Sequence, residues 1–490
     1  MNNVISTTLK LTVLAAVISG CTMMPKYQQP VSPAAAAWPT GTAYPAQGVR
    51  GTPAADIAWR DYFADERLKK LIALTLANNR DLRVSALNID KARAQYRIEH
   101  AALLPSVAAG ASQNAQRTAD NLSVGGQGGV NRQYGVNLGV AAWEVDLFGR
   151  VRSLSEAALQ TYLGTEEARA SVQIALVAEM ANAYLTLMAD QERLALAHQT
   201  LSSQQRSLAL SESRVKAGAA AGLDLYQART TVETARADAA AYTAQVAQDR
   251  NALSLLAGAA VPIELLPPAG LAGVTALLEV GPGLPSDLLY RRPDVLAAER
   301  TLQASNANIG AARAAFFPRI TLTGQAGTAS SSLSGLFEGG SGAWSFAPSI
   351  SLPIFSGGAN RANLEVAKVN RDIGVAQYEK TIQVAFREVA DALAQRGTVD
   401  ERLAAQQQLV EASGKSYRIY EARYKNGADT FQNALIAQRA LYAAQQGLIS
   451  VKLAEQASRV TLYKVLGGGW RAGDGATVAL APQEQGATVR

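Results

Sequence analysis

The sequence predicts a mainly α protein with a small β part, built from two copies of one unit around two very long coiled-coil helices. Three observations carry this reading. Larger apolar side chains return every seven residues at Met180, Leu187, Leu194, Leu201, Leu208 and Val215. That is the seam of a helix packed lengthwise against others, under-wound toward about 3.5 residues per turn. The seam recurs 209 residues later as Val389, Arg396, Leu403, Val410, Tyr417 and Tyr424, with Ile382 one heptad ahead. Between the helical stretches lie segments whose apolar period drops to two, the mark of strands.

In chain order, Lys10 precedes a short apolar run, Leu11 to Ile18, followed by Ser19–Gly20–Cys21. The run is too brief to span a bilayer and reads as a signal peptide over residues 1–20. Small residues before a cysteine are similar to a bacterial lipobox, which implies cleavage before Cys21 and lipid attachment there. Thr22, where an inner-membrane retention signal would place Asp, points by analogy to the outer membrane. Residues 21–64 read as a lipid-anchored extended segment, because repeated prolines from Pro25 to Pro53 prevent a helix. The first repeat is expected over 65–257 and opens with Asp65 capping a helix that carries Leu68, Leu71, Ile72 and Leu76 on one face. A second helix follows Asn78–Asn79 and ends near Leu103, since Pro105 disfavours helical geometry at Leu104.

A hairpin is expected at about 106–146. Ser106 to Gln116 is small and polar, a Gly- and Asn-rich loop follows, and the return leg alternates at Tyr134, Val136, Leu138 and Val140. Each leg has the length a tilted strand needs to cross a bilayer. The long helix runs from about Arg152 to Lys216, on the order of 100 Å at helical rise, and turns at Lys216 to Gly222. A partner helix with Leu225, Val232, Ala239, Val246 and Leu253 in its seam stops near Gly258. Residues 258–284 form a Pro-rich connector. The second repeat, 285–467, retells the first: a helical segment from Asp287 to Phe316 broken at Pro293, and a hairpin at about 319–355. A long helix then turns at Asn426–Gly427, and the last helix ends at Leu466. Residues 468–490 read as a flexible tail.

Composition excludes several classes of function. The balance of 46 basic and 40 acidic residues is small and dispersed, which argues against nucleic-acid binding. The single cysteine excludes disulfides within the chain. Two histidines, His100 and His198, lie far apart in helical pattern, with no zinc-ligand spacing, phosphate loop or nucleophile elbow nearby. No enzyme, metal or cofactor is expected. Arg291–Arg292 reads as a solvated turn rather than an anion site. No apolar stretch of the mature chain reaches the roughly 20 residues of a membrane-spanning helix. Four amphipathic strands in lipid would leave the backbone groups of two outer strands unsatisfied, so one chain must borrow strands from other copies to close a barrel.

The lipobox Ile18 to Cys21, Asp146–Leu147–Phe148–Gly149–Arg150, the run Leu284 to Val295, Ala311 to Ile320, and Leu462 to Trp470 carry a resemblance across almost the whole mature chain. The sequence resembles the outer-membrane factors of tripartite efflux systems, the TolC-like superfamily, in its NodT-type lipoprotein branch. The resemblance implies a homotrimer whose strands close a twelve-stranded outer-membrane barrel above a periplasmic α-helical barrel. It implies a passive export duct for drugs or other small toxic compounds. Its partners would be a periplasmic adaptor (membrane fusion protein) and an inner-membrane pump of the RND type. A duct for protein secretion, or a periplasmic coiled-coil lipoprotein without a channel, are the alternatives.

The resemblance places a periplasmic gate at the two helical turns. Asp224 on the first turn, and Tyr424 and Asp429 on the second, are the candidate gate residues. Tyr424 aligns with a family tyrosine that constricts the entrance, and its place in the seam equally suits plain packing. Family positions that carry acidic rings fall here on Asn433 and Ile436, so constriction rests on Asp429 or on apolar contact. Gly218, Gly222 and Gly427 are expected at the turn tips, which in the family also dock the adaptor.

Overall fold

A computed structural model describes residues 22–44, 52–119, 121, 128–219, 221–268, 270–271, 280–281, 283, 285 and 291–470. The signal segment, Cys21 and the tail beyond residue 470 lie outside the described residues. In order the elements are β1 (Thr52–Pro53), α1 (Trp59–Tyr62), α2 (Glu66–Asn78), α3 (Arg80–Ala101), β2 (Val107–Thr118) and β3 (Gly129–Val145). They continue with α4 (Arg150–Lys216), α5 (Gly222–Ala257), β4 (Val280–Gly281), α6 (Pro293–Ala314), β5 (Arg319–Ser330), β6 (Gly342–Ser351), α7 (Ala359–Lys425) and α8 (Phe431–Val465). Both long helices, α4 and α7, have 67 residues. The fold is mainly α with four long strands, as the two periodicities require.

The chain divides into two compact units. One comprises Met1–Val31, Asn88–Glu166 and Ala297–Glu379; the other comprises Ser32–Leu87, Glu167–Leu296 and Lys380–Arg490.

The first unit contains the sheet, ordered β2-β3-β5-β6 and antiparallel throughout. The two hairpins therefore pair with each other through β3 and β5. The register puts apolar side chains on one face of all four strands. Leu138 opposes Ala109 on one side and Ala326 on the other, and Trp344 opposes Ala326 in turn. Trp344, Phe346 and Ile350 on β6 remain 80, 63 and 70% exposed. The opposite face carries Ser112, Asn137, Gln325 and Ser345 in matching register, with Asn137 donating to Gln325 at 3.0 Å.

The alternation of β3 breaks at Ala141–Ala142, and the structure shows why. One extra residue bulges between Val140 and Trp143, with Ala142 at a φ of 51°. Because side chains alternate, a one-residue bulge keeps Trp143 and Val145 on the face of Val140. It turns Glu144 to the polar face. There Glu144 receives both arms of Arg150 at 2.8 and 2.7 Å and pairs with Arg319 at 2.7 Å. Strand β5 runs on past Thr323 to Ser330, through Gly, Gln, Ala, Thr and Ser positions that carry no apolar alternation. The extended N-terminal segment is docked on α6 and α7: Asn306 donates to the Pro25 carbonyl at 2.8 Å, Tyr27 to Glu299 and Gln29 to Tyr378, each at 3.0 Å.

The second unit holds the main core. Asp65 caps α2 by accepting from the Arg67 and Leu68 backbone N–H groups. Leu68, Leu71 and Ile72 are fully buried against Met180, Tyr184 and Leu187 of α4, Leu253 of α5 and Tyr463 of α8. Val389 of the second seam joins Met180 and Leu187 of the first in this core and is also fully buried. Helix α4 contains a window apolar enough to cross a membrane, but 61% of it is buried within the chain, so its apolar surface is used in packing. Strands β1 and β4 form a parallel pair, and at two residues each they are too short to leave an apolar period in the sequence. Arg292 corrects an expectation. Instead of lying in a solvated turn it is buried, bound to Asp294 at 2.6 Å and Glu388 at 2.8 Å, and donates to the Val465 carbonyl. A buried guanidinium requires such pairing. Arg291 pairs separately with Asp56 at the surface.

Candidate functional site at the helical turns

The two long hairpins turn by the same device. Helix α4 ends with Gly218 in the left-handed region (φ 69°), and α7 with Gly427 (φ 73°). In the first turn the Ala219 N–H reaches the Arg214 carbonyl at 2.8 Å and the Gly218 N–H reaches Val215 at 3.0 Å. In the second, Ala428 reaches Arg423 at 2.9 Å and Gly427 reaches Tyr424 at 3.0 Å. These paired bonds form the Schellman termination, and only glycine takes its left-handed residue without strain. Gly222, by contrast, opens α5 with no positive φ and with open space where a Cβ would stand.

Tyr424 is 8% exposed and sits inside one chain's own helices. It packs with Ala228, Phe431, Ala434, Leu435 and Leu208, and its ring centroid is 5.3 Å from that of Phe431. Its hydroxyl is buried with no partner among the described residues. Leaving such a group unpaired costs about 1–3 kcal/mol. Within one protomer the structure thus gives Tyr424 a packing role.

Asp429 is held in its own turn. The Asn433 side-chain amide and the Thr430 backbone N–H donate to Oδ1, both at 2.8 Å, and the Arg423 guanidinium donates to Oδ2 at 3.0 Å. These donors, Asn433 foremost, lower its pKa below the ordinary aspartate value. The stabilisation is present above the unfolded-state value and is lost as pH falls through the folded one. Asp224 lies half-buried in the first turn of α5. No side-chain bond joins it to Tyr424 or Asp429 among the described residues. Tyr424 and Asp429 thus lie on one turn, with different partners, and Asp224 lies on the other.

Sequence reasoning missed a second seam. Asp190, Ala197, Gln204 and Ser211 also recur every seven residues along α4 and are each 5% exposed or less. Gln204 is satisfied by the Thr231 hydroxyl at 2.9 Å. Asp190 is paired with Arg193 at 2.5 Å and neighbours Asp249, whose pKa is raised by burial and by that second carboxyl. The signal was a heptad of small and polar residues, which a search for apolar side chains passes over. Leu223 and Tyr226 of α5 and Ile436 of α8, near the turns, are more than half exposed. Among the described residues no group of three or more His, Cys, Asp or Glu could hold a metal ion.

Residues 71–259 and 284–468 match the family described as outer membrane efflux protein. The chain is 51% identical over 462 residues to the antibiotic efflux pump outer membrane protein ArpC of Pseudomonas putida, covering 94% of this chain and 95% of that one. The toluene efflux pump outer membrane protein TtgC, also of Pseudomonas putida, matches with the same identity and coverage. Among solved structures, the open state of the MtrE outer membrane channel of Neisseria gonorrhoeae superposes with a TM-score of 0.82 at 39% identity. That match covers 92% of this chain and 99% of that one.

Proposed function

The chain belongs to the outer membrane efflux protein family, and on that premise we propose that three copies assemble into one passive export duct. It is the outer-membrane channel component of an efflux pump. The observation that carries the assembly is the sheet: one face is apolar across all four strands, and β2 and β6 each pair on one side only. In lipid those free edges must find partners, and a second and third copy supply them. Three copies of four strands give a twelve-stranded barrel wide enough for a bore.

The duct performs no chemistry and takes no cofactor. Its cargo is of the drug-like or small toxic class, in keeping with the antibiotic and toluene named for the relatives. Energy comes from an inner-membrane pump of the RND type through a periplasmic adaptor that docks at the turn tips around Gly218, Gly222 and Gly427. The exposed Leu223, Tyr226 and Ile436 supply apolar surface there. Cys21 is the lipid attachment site that holds the chain to the outer membrane. The duplicated organisation divides into repeats over 65–257 and 285–467.

The gate lies at the same turns. The Tyr424 hydroxyl, buried without a partner in one protomer, finds one in the assembly, and Asp429 meets its copies around the axis. Purified trimer in a planar lipid bilayer is expected to conduct weakly. Asp429→Ala or Tyr424→Phe should conduct severalfold more. Conductance equal to the wild type in both variants would contradict this gate.

A further inference from the structure

The turns of the two repeats are related by a shift of 209 residues, which sets Arg214 against Arg423, Val215 against Tyr424 and Gly218 against Gly427. The two arginines nevertheless do different work. Arg423 stays within its own turn, bound to Asp429 six residues on. The residue six after Arg214 is Ala220, so the first turn offers no acid at that place.

Arg214 reaches to the other hairpin instead. Its guanidinium carbon lies 4.6 Å from the centre of the Tyr424 ring. One arm donates to the Tyr424 carbonyl at 3.2 Å and the other to the Lys425 carbonyl at 2.9 Å. Those carbonyls end α7, where backbone acceptors lack helical donors and the helix dipole is negative. A planar fork that stacks and donates twice is a task for arginine, which lysine cannot reproduce. The Tyr424 carbonyl also accepts from the Gly427 N–H, so the contact engages the second turn itself. The reverse contact is not available, since Val215 has no ring and Arg423 is already held.

We propose that Arg214 is a one-way latch between the two coiled-coil tips, holding the end of α7 against the end of α4 and so keeping the gate closed. This rests on the gate reading above. Arg214 touches no cargo; it acts as a positioning residue through Tyr424 and the last carbonyls of α7.

The test uses full-length protein in planar bilayers, comparing wild type with Arg214→Ala, Arg214→Lys and Asp429→Ala, with the oligomer mass measured for each. Arg214→Ala is expected to raise the open fraction about tenfold at unchanged oligomer mass, a population shift of about 1.4 kcal/mol. Arg214→Lys, retaining the charge and part of the bonding, should fall between alanine and wild type. If Arg214→Ala conducts as wild type while Asp429→Ala conducts more, the latch is refuted and the gate stands. If neither variant changes conductance, the gate reading fails and takes the latch with it. A rise accompanied by loss of the oligomer would show Arg214 to be merely structural, and would equally overturn the latch.

Discussion

Gly327→Val is expected to abolish assembly of the channel, with folded sheet lost from the circular dichroism spectrum. The two hairpins meet where β3 pairs with β5, and Gly327 stands opposite Asn137. A Cβ on Gly327 would run into the Val136 carbonyl oxygen and lie 2.7 Å from the Asn137 Cα. Both obstacles are backbone, so no side chain can rotate away. Either β5 leaves β3 or the pairing shifts. A one-residue shift would send the apolar face of β5 to the polar side. The cost is about 3 kcal/mol or more, at the upper end of overpacking penalties. Gly129→Val at the start of β3, a strand not at the free edge of the sheet, is the matched control, because nothing lies within 4 Å of its added Cβ. It should assemble as wild type. Equal assembly of the two variants would show that the β3–β5 pairing is not tight.

Tyr463→Ala should destabilise the second unit by about 3–5 kcal/mol, the range for emptying a large buried aromatic site. Tyr463 is 2% exposed and lies flat against Tyr62, with ring centroids 3.9 Å apart and planes within 4°. Its hydroxyl donates to the Ile57 carbonyl at 2.6 Å, tying the last helix to the chain just before α1. Gly468 closes over the ring so tightly that a Cβ there would fall 2.6 Å from the Tyr463 Cζ. The terminal Tyr463 to Gly468 run is therefore a packing device. Tyr463→Phe keeps the stack and loses one hydrogen bond, at about 1–1.5 kcal/mol. Denaturant unfolding followed by helical signal separates the two, and a shift in Tyr463→Ala no larger than in Tyr463→Phe would contradict the account.

What the sequence made legible follows from how each interaction is encoded. The seam through Met180 and Leu187 was readable because apolar side chains repeat at a helical period. Asp65 was readable as a cap because its acceptor serves neighbours two and three residues on. Burial that depends on distant partners left no such trace. Arg292 looks like any surface arginine until Glu388, 96 residues later, is brought against it. The buried Asp190, Gln204 and Ser211 carry polar side chains, so their heptad is silent in any hydrophobic pattern. Apart from Gln325, the far half of β5 is small residues whose strand character comes from pairing with β3. At the turns, the glycines were legible from conformation alone. The crossing of Arg214 to Tyr424 was not, because the two repeats spell the same Arg–x–Lys–x–Gly and differ only in what surrounds it.

The central claim is that strands of this chain close a pore with strands from two other copies. The mass of the detergent-solubilised particle, free of bound detergent, tests it most directly. Three times the protomer mass is the predicted result. A monomeric mass for protein that still carries its full sheet would contradict the account.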